Sequence, residues 1–330
     1  MKQLYLVILF VLALGPSTHG QEGVPVYFDY LSDNYYLVYP SMAGIGEGGK
    51  IRATLRKQWF NVDRAPNLQT LNAHFRVGEQ SGLGAIFFKD ANGYHSQAGL
   101  KLTYAHHLRL GGDFRSLNQL SFGLSAGLQE STLDETSFVS VIPDPLVTGS
   151  RNSVGYFNLD LGMSYNFLEF QAHAAVHNLL GRGRDLYSAV EATNLRKYLL
   201  SIGYLFGRGD WQIEPSTLFQ YTEFTRERAI DINLKAYRAV NFGTVWGGIS
   251  YRRSLQSVHY QTQSDVGEQS LQLITPMVGV NYKRFLVAYN YSYQMGDPKF
   301  HDGGFHQITL GYDFGQREKR YDCSCPAVNY

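Results

Sequence analysis

The sequence predicts an all-β transmembrane outer-membrane β-barrel of about 14 antiparallel strands, with short periplasmic turns and long extracellular loops. Three observations carry that expectation. Apolar residues alternate with polar ones at a period of two in segments of about ten residues. Tight and long connections alternate along the chain, and the chain opens on an export-type segment. The charged fraction of 17% is low for a soluble domain of 330 residues, so something other than a charged shell must cover the surface.

Residues 1–20 read as a signal peptide. Lys2 gives a basic start, residues 4–14 form an apolar run, and Thr18 and Gly20 are small residues before a cleavage point ahead of Gln21. That run is too short to span a bilayer, and no other stretch approaches the roughly 20 apolar residues a transmembrane helix needs. Membrane insertion must therefore use strands. Residues 21–48 form an N-terminal periplasmic or plug-like segment. Within it, residues 24–46 are rich in tyrosine and carry Pro25 and Pro40. A plug inside the barrel, a lining of its periplasmic mouth and a loosely held tail are all compatible with that composition.

Residues 49–314 hold the barrel as one domain, without a linker or low-complexity block. The repeating segments start near Lys50, Leu68, Gly82, Tyr94, Asn118, Ser153, Leu168, Arg196, Asp210, Ala229, Phe242, Leu271, Arg284 and Phe305. In the fifth, Leu120, Phe122, Leu124, Ala126 and Leu128 alternate with Ser121, Gly123, Ser125, Gly127 and Gln129. In the first, Arg52, Thr54 and Arg56 face away from Ile51, Ala53 and Leu55. A polar interior and an apolar exterior produce this pattern.

The connections at 78–81, around Asn166, and at 207–209, 240–241 and 282–283 are tight, whereas 130–152, 178–195, 253–270 and 294–304 are long. With an even strand count both termini fall on the short-turn, periplasmic side. The connection at 108–117 is longer than this scheme requires. Trp59, Tyr104, Tyr165, Phe206, Trp211, Tyr251, Tyr282 and Phe314 fall near segment ends, where amphipathic rings meet the membrane interface. Ordinary β-propensity also favours aromatics, and a soluble β-sandwich is the competing fold. Residues 315–330 form a periplasmic tail whose Cys323 and Cys325 are too few for a disulfide framework. They can pair with each other, pair between chains or stay free.

Several stretches together resemble the PorP/SprF family of outer-membrane proteins of type IX secretion and gliding motility. Tyr39-Pro40-Ser41-Met42-Ala43-Gly44 is similar to the family's Asn-Pro-Ala-Tyr-Ala-Gly element, retaining Pro40, Ala43 and Gly44. Arg56, Gln58, Trp59, Ala65, Pro66, Gln69 and Thr70 follow the family's Arg-x-Gln-Trp, Gly-Ala-Pro and Gln-Thr order, with Arg64 where glycine is usual. Residues 104–110, the Trp211-Gln212-Ile213-Glu214-Pro215-Ser216 element and residues 305–314 resemble further family strands. The resemblance implies a barrel that partners large secreted surface adhesins, aiding their export and holding their C-terminal domains at the outer membrane.

A partner's docking place is expected in the long loops, because the wall faces lipid and the short turns offer little surface. The loops at 130–152 and 178–195 are the candidates. Pro143 and Pro145 stiffen the first, while Arg182, Arg184 and Arg196 give the second a basic character suited to carboxylates. Solvated loop residues would look the same.

No catalytic, cofactor or metal site is legible. His106 and His107 point to opposite faces of a strand; His173 and His177 share a face but lie too far apart in an extended chain for simple chelation. Gly46–Gly49 lacks the Lys-Ser and helix of a phosphate loop, and Gly-x-Ser-x-Gly is absent. A net charge of +1 gives no field for nucleic acid. The expected partners are an adhesin C-terminal domain, type IX secretion components and outer-membrane lipid. The competing functions are a diffusion pore or small-solute transporter, and a secreted soluble carbohydrate-binding sandwich.

Overall fold

A computed structural model describes residues 29–46, 48–58, 64–111, 116–137, 149–181, 196–207, 209–256, 258–261, 266–295 and 304–315. The strands are β1 (Gly49–Gln58), β2 (Asn67–Val77), β3 (Ser81–Asn92), β4 (His95–Arg109), β5 (Asn118–Asp134), β6 (Arg151–Phe167), β7 (Phe170–His177) and β8 (Lys197–Tyr204), followed by β9 (Trp211–Thr222), β10 (Arg228–Val240), β11 (Gly243–Ser254), β12 (Val258–Gln261), β13 (Val266–Gln269), β14 (Gln272–Tyr282), β15 (Phe285–Met295) and β16 (Gly304–Phe314). Every strand except β12 and β13 joins a closed antiparallel barrel in sequence order, and β1 pairs with β16 to seal it. The expected outer-membrane barrel is therefore the observed architecture. Each segment start read from the sequence falls within two residues of a barrel strand.

Polarity is distributed inside out relative to a soluble protein. Arg52, Thr54, Lys235 and Arg252 are 2%, 0%, 2% and 2% exposed, while Leu55, Leu102 and Leu128 are 57%, 59% and 66% exposed. Water on both sides would make this arrangement prohibitively unfavourable; hydrocarbon outside reverses the sign. On β5 the burial alternation places Ser121, Gly123 and Ser125 inside and Phe122, Leu124 and Leu128 outside. Near the chain-terminal rim, Tyr204, Phe206, Trp211, Phe242, Tyr282 and Phe285 are all exposed, forming the lower aromatic girdle.

The two rims differ, with exceptions. Turns at 168–169, 241–242 and 283–284 share one rim with both barrel ends; connections at 135–150, 178–196 and 255–271 lie on the other. Against the simple scheme, 110–117 is long on the short-turn rim and 93–94 is tight on the long-loop rim. Two long loops are also shorter than the sequence suggested, and a third holds a hairpin. Residues 130–134 and 151–152 extend β5 and β6, Gln294 and Met295 belong to β15, and the connection after β11 contains the β12–β13 hairpin. Unbroken cross-strand pairing from Asn118↔Phe167 to Asp134↔Arg151 explains the β5–β6 extension: the ladder continues beyond the apolar band that marked the segment.

Arg64 adopts a left-handed backbone, φ 57°. This is the conformation glycine takes without cost, so arginine here keeps the turn geometry that the usual glycine would supply. Its side chain donates to Ser137 Oγ at 2.9 Å and lies 4.7 Å over the Tyr94 ring, tying neighbouring rim segments together.

Candidate functional site

The described part of the N-terminal segment, residues 29–46, lies inside the barrel. It makes three 3-10 turns, Asp29–Ser32, Tyr35–Leu37 and Pro40–Met42, and Tyr36, Val38, Tyr39, Met42, Ala43 and Ile45 are buried. The 3-10 turns close several of the segment's own backbone hydrogen bonds between Asn34 and Ile45, and lumen side chains partner further backbone groups at Val38, Ala43 and Gly44.

The anchoring runs around the wall. Asn290 on β15 donates to Ser32 Oγ at 3.0 Å, and Lys235 on β10 pairs with Asp33. Tyr35 donates to Glu214 on β9 at 2.9 Å; the same carboxylate accepts Gln171 Nε2 at 2.6 Å and Tyr237 OH at 2.7 Å. Tyr36 donates to Thr103 on β4 at 2.8 Å and Tyr39 to Ser201 on β8 at 2.7 Å. As phenols with an ordinary pKa of about 10, all three are protonated donors at neutral pH.

Four lumen histidines hold the plug. Gly44 N–H donates to His74 Nδ1 at 2.9 Å, His107 Nε2 donates to the Ala43 carbonyl at 3.0 Å, and His177 Nε2 donates to the Val38 carbonyl at 2.8 Å. His173 stacks on Tyr39 with ring centroids 4.9 Å apart. His106 and His107 do face opposite sides of β4, and His173 and His177 do share the lumen face. Among the described residues no cluster of metal-binding side chains forms.

Shape reinforces this chemistry. A Cβ on Gly123 would stand 2.2 Å from the Pro40 carbonyl carbon, and one on Gly162 2.9 Å from Pro40 Cδ. A Cβ on Gly82 would stand 2.0 Å from the Ala43 oxygen, and Gly44 itself has φ 65°. Glycines on β3, β5 and β6 thus let the plug backbone lie directly against the wall.

One corner links plug and rim. Asp160 on β6 pairs with Lys101 Nζ at 2.6 Å and His177 Nδ1 at 3.2 Å, and it accepts Asn178 N–H at 2.9 Å. Asn158 accepts Leu180 N–H at 3.0 Å and donates to the Leu180 carbonyl at 3.2 Å. The connection after β7 therefore begins by folding toward the lumen.

The residues singled out in the sequence sort into groups. Pro40 and Gly44 seat the plug, and Glu214 of the Trp-x-Ile-Glu-Pro-Ser element anchors Tyr35. Pro215 lies one residue past the Gly203↔Ser216 end of the β8 ladder, where its missing N–H removes a bond. Gln58 N–H donates to the Pro66 carbonyl at 3.0 Å, closing the β1–β2 connection. Trp211 is 57% exposed in the aromatic girdle, with Arg238 5.2 Å over its ring. Arg196 pairs with Glu223 at 2.9 Å, so an incoming carboxylate would compete with that partner. Trp59, Pro143, Pro145, Arg182, Arg184, Cys323, Cys325 and residues 1–28 lie outside the described residues.

The family profile described as type IX secretion system membrane protein PorP/SprF matches residues 19–312. No curated protein matches the sequence. Among solved structures, the CymD monoaromatic hydrocarbon channel is similar at TM-score 0.49 and 12% identity, over 88% of this chain and 94% of that one. A deltaS2 mutant of the TodX monoaromatic hydrocarbon channel gives 0.47 and 10%, over 84% and 93%. CdiB from Acinetobacter baumannii gives 0.43 and 7%; 81% of this chain is covered, but only 60% of CdiB.

Proposed function

Because this chain is an outer-membrane β-barrel that belongs to the PorP/SprF family of type IX secretion system membrane proteins, we propose that it acts as a non-enzymatic docking platform. In this reading it binds a type IX-secreted surface adhesin through the adhesin's C-terminal domain, assists its export and anchors it at the cell surface. The observation that supports this most is the filled lumen: a barrel occupied by its own residues 29–46 is a poor conduit, which leaves the rim for recognition.

The docking surface is assigned to the 130–152 and 178–195 regions, through the connections at 135–150 and 178–196 that they contain or adjoin, with Pro143, Pro145, Arg182, Arg184 and Arg196 as contact candidates. Residues 1–20 are assigned as a signal peptide, 21–48 as the plug-bearing segment, 49–314 as the barrel and 315–330 as a periplasmic tail. The Pro and Arg residues suit a preorganised, carboxylate-seeking loop.

The test is a detergent pull-down of tagged protein from native outer membrane, with co-purifying proteins identified by mass spectrometry. A multidomain adhesin retained through its C-terminal domain, and lost when residues 182–195 are replaced by a Gly-Ser linker, is the expected result. Recovery of the barrel alone, with liposome swelling by small solutes, would replace the platform by a diffusion pore.

A further inference from the structure

Strand β6 rises past its neighbour β7. It pairs with β5 along its whole length, from Asn118↔Phe167 to Asp134↔Arg151, but with β7 only from Leu161↔Val176 to Phe167↔Phe170. A last bond, from Leu179 N–H to the Leu159 carbonyl at 2.9 Å, ends that second ladder. Successive residues of a strand turn their N–H and C=O groups to opposite sides, so Ser153, Gly155 and Phe157 share the side of Leu159 and face away from β5. Among the described residues none bonds to those backbone groups on that side. Residues 153–157 thus form an open sheet edge about 13 Å long.

This edge stands in water. The outward residues of β6 are apolar from Phe167 through Met163 and Leu161 to Phe157, and beyond Phe157 they are Gly155, Ser153 and Arg151. The apolar band therefore ends at Phe157, on the long-loop, extracellular side.

The chain's own continuation turns away from the edge. Asn178 is left-handed, φ 56°. The Asn158 side chain accepts the Leu159 and Leu180 N–H groups and donates to the Leu180 carbonyl, standing in for the next rung. A second copy fits no better. Barrels in one membrane share their up–down orientation, so two β6 edges related by a two-fold axis along the membrane normal run parallel at equal height. Their facing groups are then level, whereas a parallel ladder needs them staggered.

An unpaired row of N–H and C=O groups is a template for an added strand. At Gly155 a Cβ would find only the Gln129 oxygen within reach, at 3.9 Å, which leaves a flat spot between Ser153 and Phe157 for a bulky side chain of that strand. We propose that the β6 edge at residues 153–157 captures an extended segment of the secreted partner polypeptide by β-strand addition, with an aromatic or branched residue of that segment over Gly155. Strand capture here presupposes the docking platform, and its site adjoins both regions assigned to it.

Amide exchange on the full chain in nanodiscs, alone and in complex with the adhesin retained in the pull-down, reads the edge directly. In the chain alone, the Ser153, Gly155 and Phe157 amides are expected to exchange fast beside slow Val154 and Tyr156, whose N–H groups point to β5; in the complex all five are slow. Ser153→Pro removes an edge N–H without touching the β5 ladder and is expected to cut adhesin retention about tenfold. Ser153→Ala loses the same 2.8 Å hydroxyl contact with Thr132 but keeps the N–H, and retains the adhesin as wild type does. Undiminished retention by Ser153→Pro, or edge amides that stay fast in the complex, overturns strand addition and leaves the platform standing. No adhesin retained by the wild-type chain removes both. Slow edge amides in the chain alone would mean that its own connection or a second copy already covers the edge, which also overturns the capture. If Ser153→Pro does not give a heat-modifiable barrel, the wild-type exchange pattern decides.

Discussion

Gly123→Ala isolates the seating of the plug from the stability of the barrel. The added Cβ would lie 2.2 Å from the Pro40 carbonyl carbon, 2.3 Å from Ser41 N and 2.4 Å from the Pro40 oxygen. All three are backbone atoms with no rotamer to move into, so the Pro40–Met42 turn must lift. Overpacking of this kind costs about 1–3 kcal/mol. Lifting the turn also breaks the 2.6 Å Ser41–Ser164 hydrogen bond, worth about 1 kcal/mol. The strand itself gains roughly 0.5–1 kcal/mol from losing a glycine. Seating is therefore weakened by roughly 2–4 kcal/mol, about thirty- to several-hundred-fold at 1.4 kcal/mol per decade. Planar-bilayer conductance and protease cleavage within residues 29–46 should both rise, while heat-modifiable migration of the barrel persists. Gly127→Ala is the control: it lies on the same face of β5, but its Cβ meets Lys101 Cγ at 2.9 Å, the stem of a flexible side chain. A Gly123→Ala protein as closed as wild type, or one matched by Gly127→Ala, would refute the reasoning.

Three further substitutions probe separate parts. Glu214→Gln turns one of the two acceptor oxygens into a donor, so either Tyr237 or the Tyr35–Gln171 pair loses its acceptor, at a cost of about 1–3 kcal/mol. A lower thermal midpoint with faster cleavage of the plug is expected; an unchanged midpoint contradicts the anchor. Asp160→Asn leaves Lys101 buried without its counter-ion, a loss of about 3–5 kcal/mol, and should expose the 178–196 connection to protease first. Uniform loosening of all loops instead would deny that corner a special role. Arg64→Gly relieves about 1–2 kcal/mol of left-handed backbone but gives up about 0.5–1 kcal/mol of the Tyr94 contact and raises unfolded-chain entropy. Its midpoint should stay within a few degrees of wild type; a large drop would mean the rim depends on the arginine side chain.

The wall was legible because its physics is local. Alternation along each strand is dictated by which side meets lipid, so residues 120–129 reveal their faces without any partner. Loop lengths were less legible, since cross-strand pairing above the membrane band carries no apolar signature, as residues 130–134 of β5 show. The plug was the hardest part. Tyr35, Tyr36 and Tyr39 give a segment rich in hydrogen-bonding aromatics, but their partners Glu214, Thr103 and Ser201 lie 179, 67 and 162 positions away. The inward glycines Gly82, Gly123 and Gly162 were the available signal, because a strand that omits side chains on its polar face invites another backbone there. The role of Arg196 depends on Glu223, which only the paired β8 and β9 bring beside it.

Closure between β1 and β16 joins the two ends of the chain, and this bears on the order of assembly. Gly49 meets Phe314 across nearly the whole barrel sequence, so the chain-entropy cost of that seam exceeds that of any neighbouring hairpin. Hairpins such as β14–β15 can zip first while the sheet is still open. The residues that fill the lumen lead directly into β1, at the same end of the chain as the seam. In the closed barrel they bond to strands on both sides of that seam, from His74 on β2 to Asn290 on β15. A barrel closed without residues 29–46 would surround a ring of polar groups that the plug now covers, so the stability of the closed seam and the occupancy of the lumen are coupled from the same end of the chain.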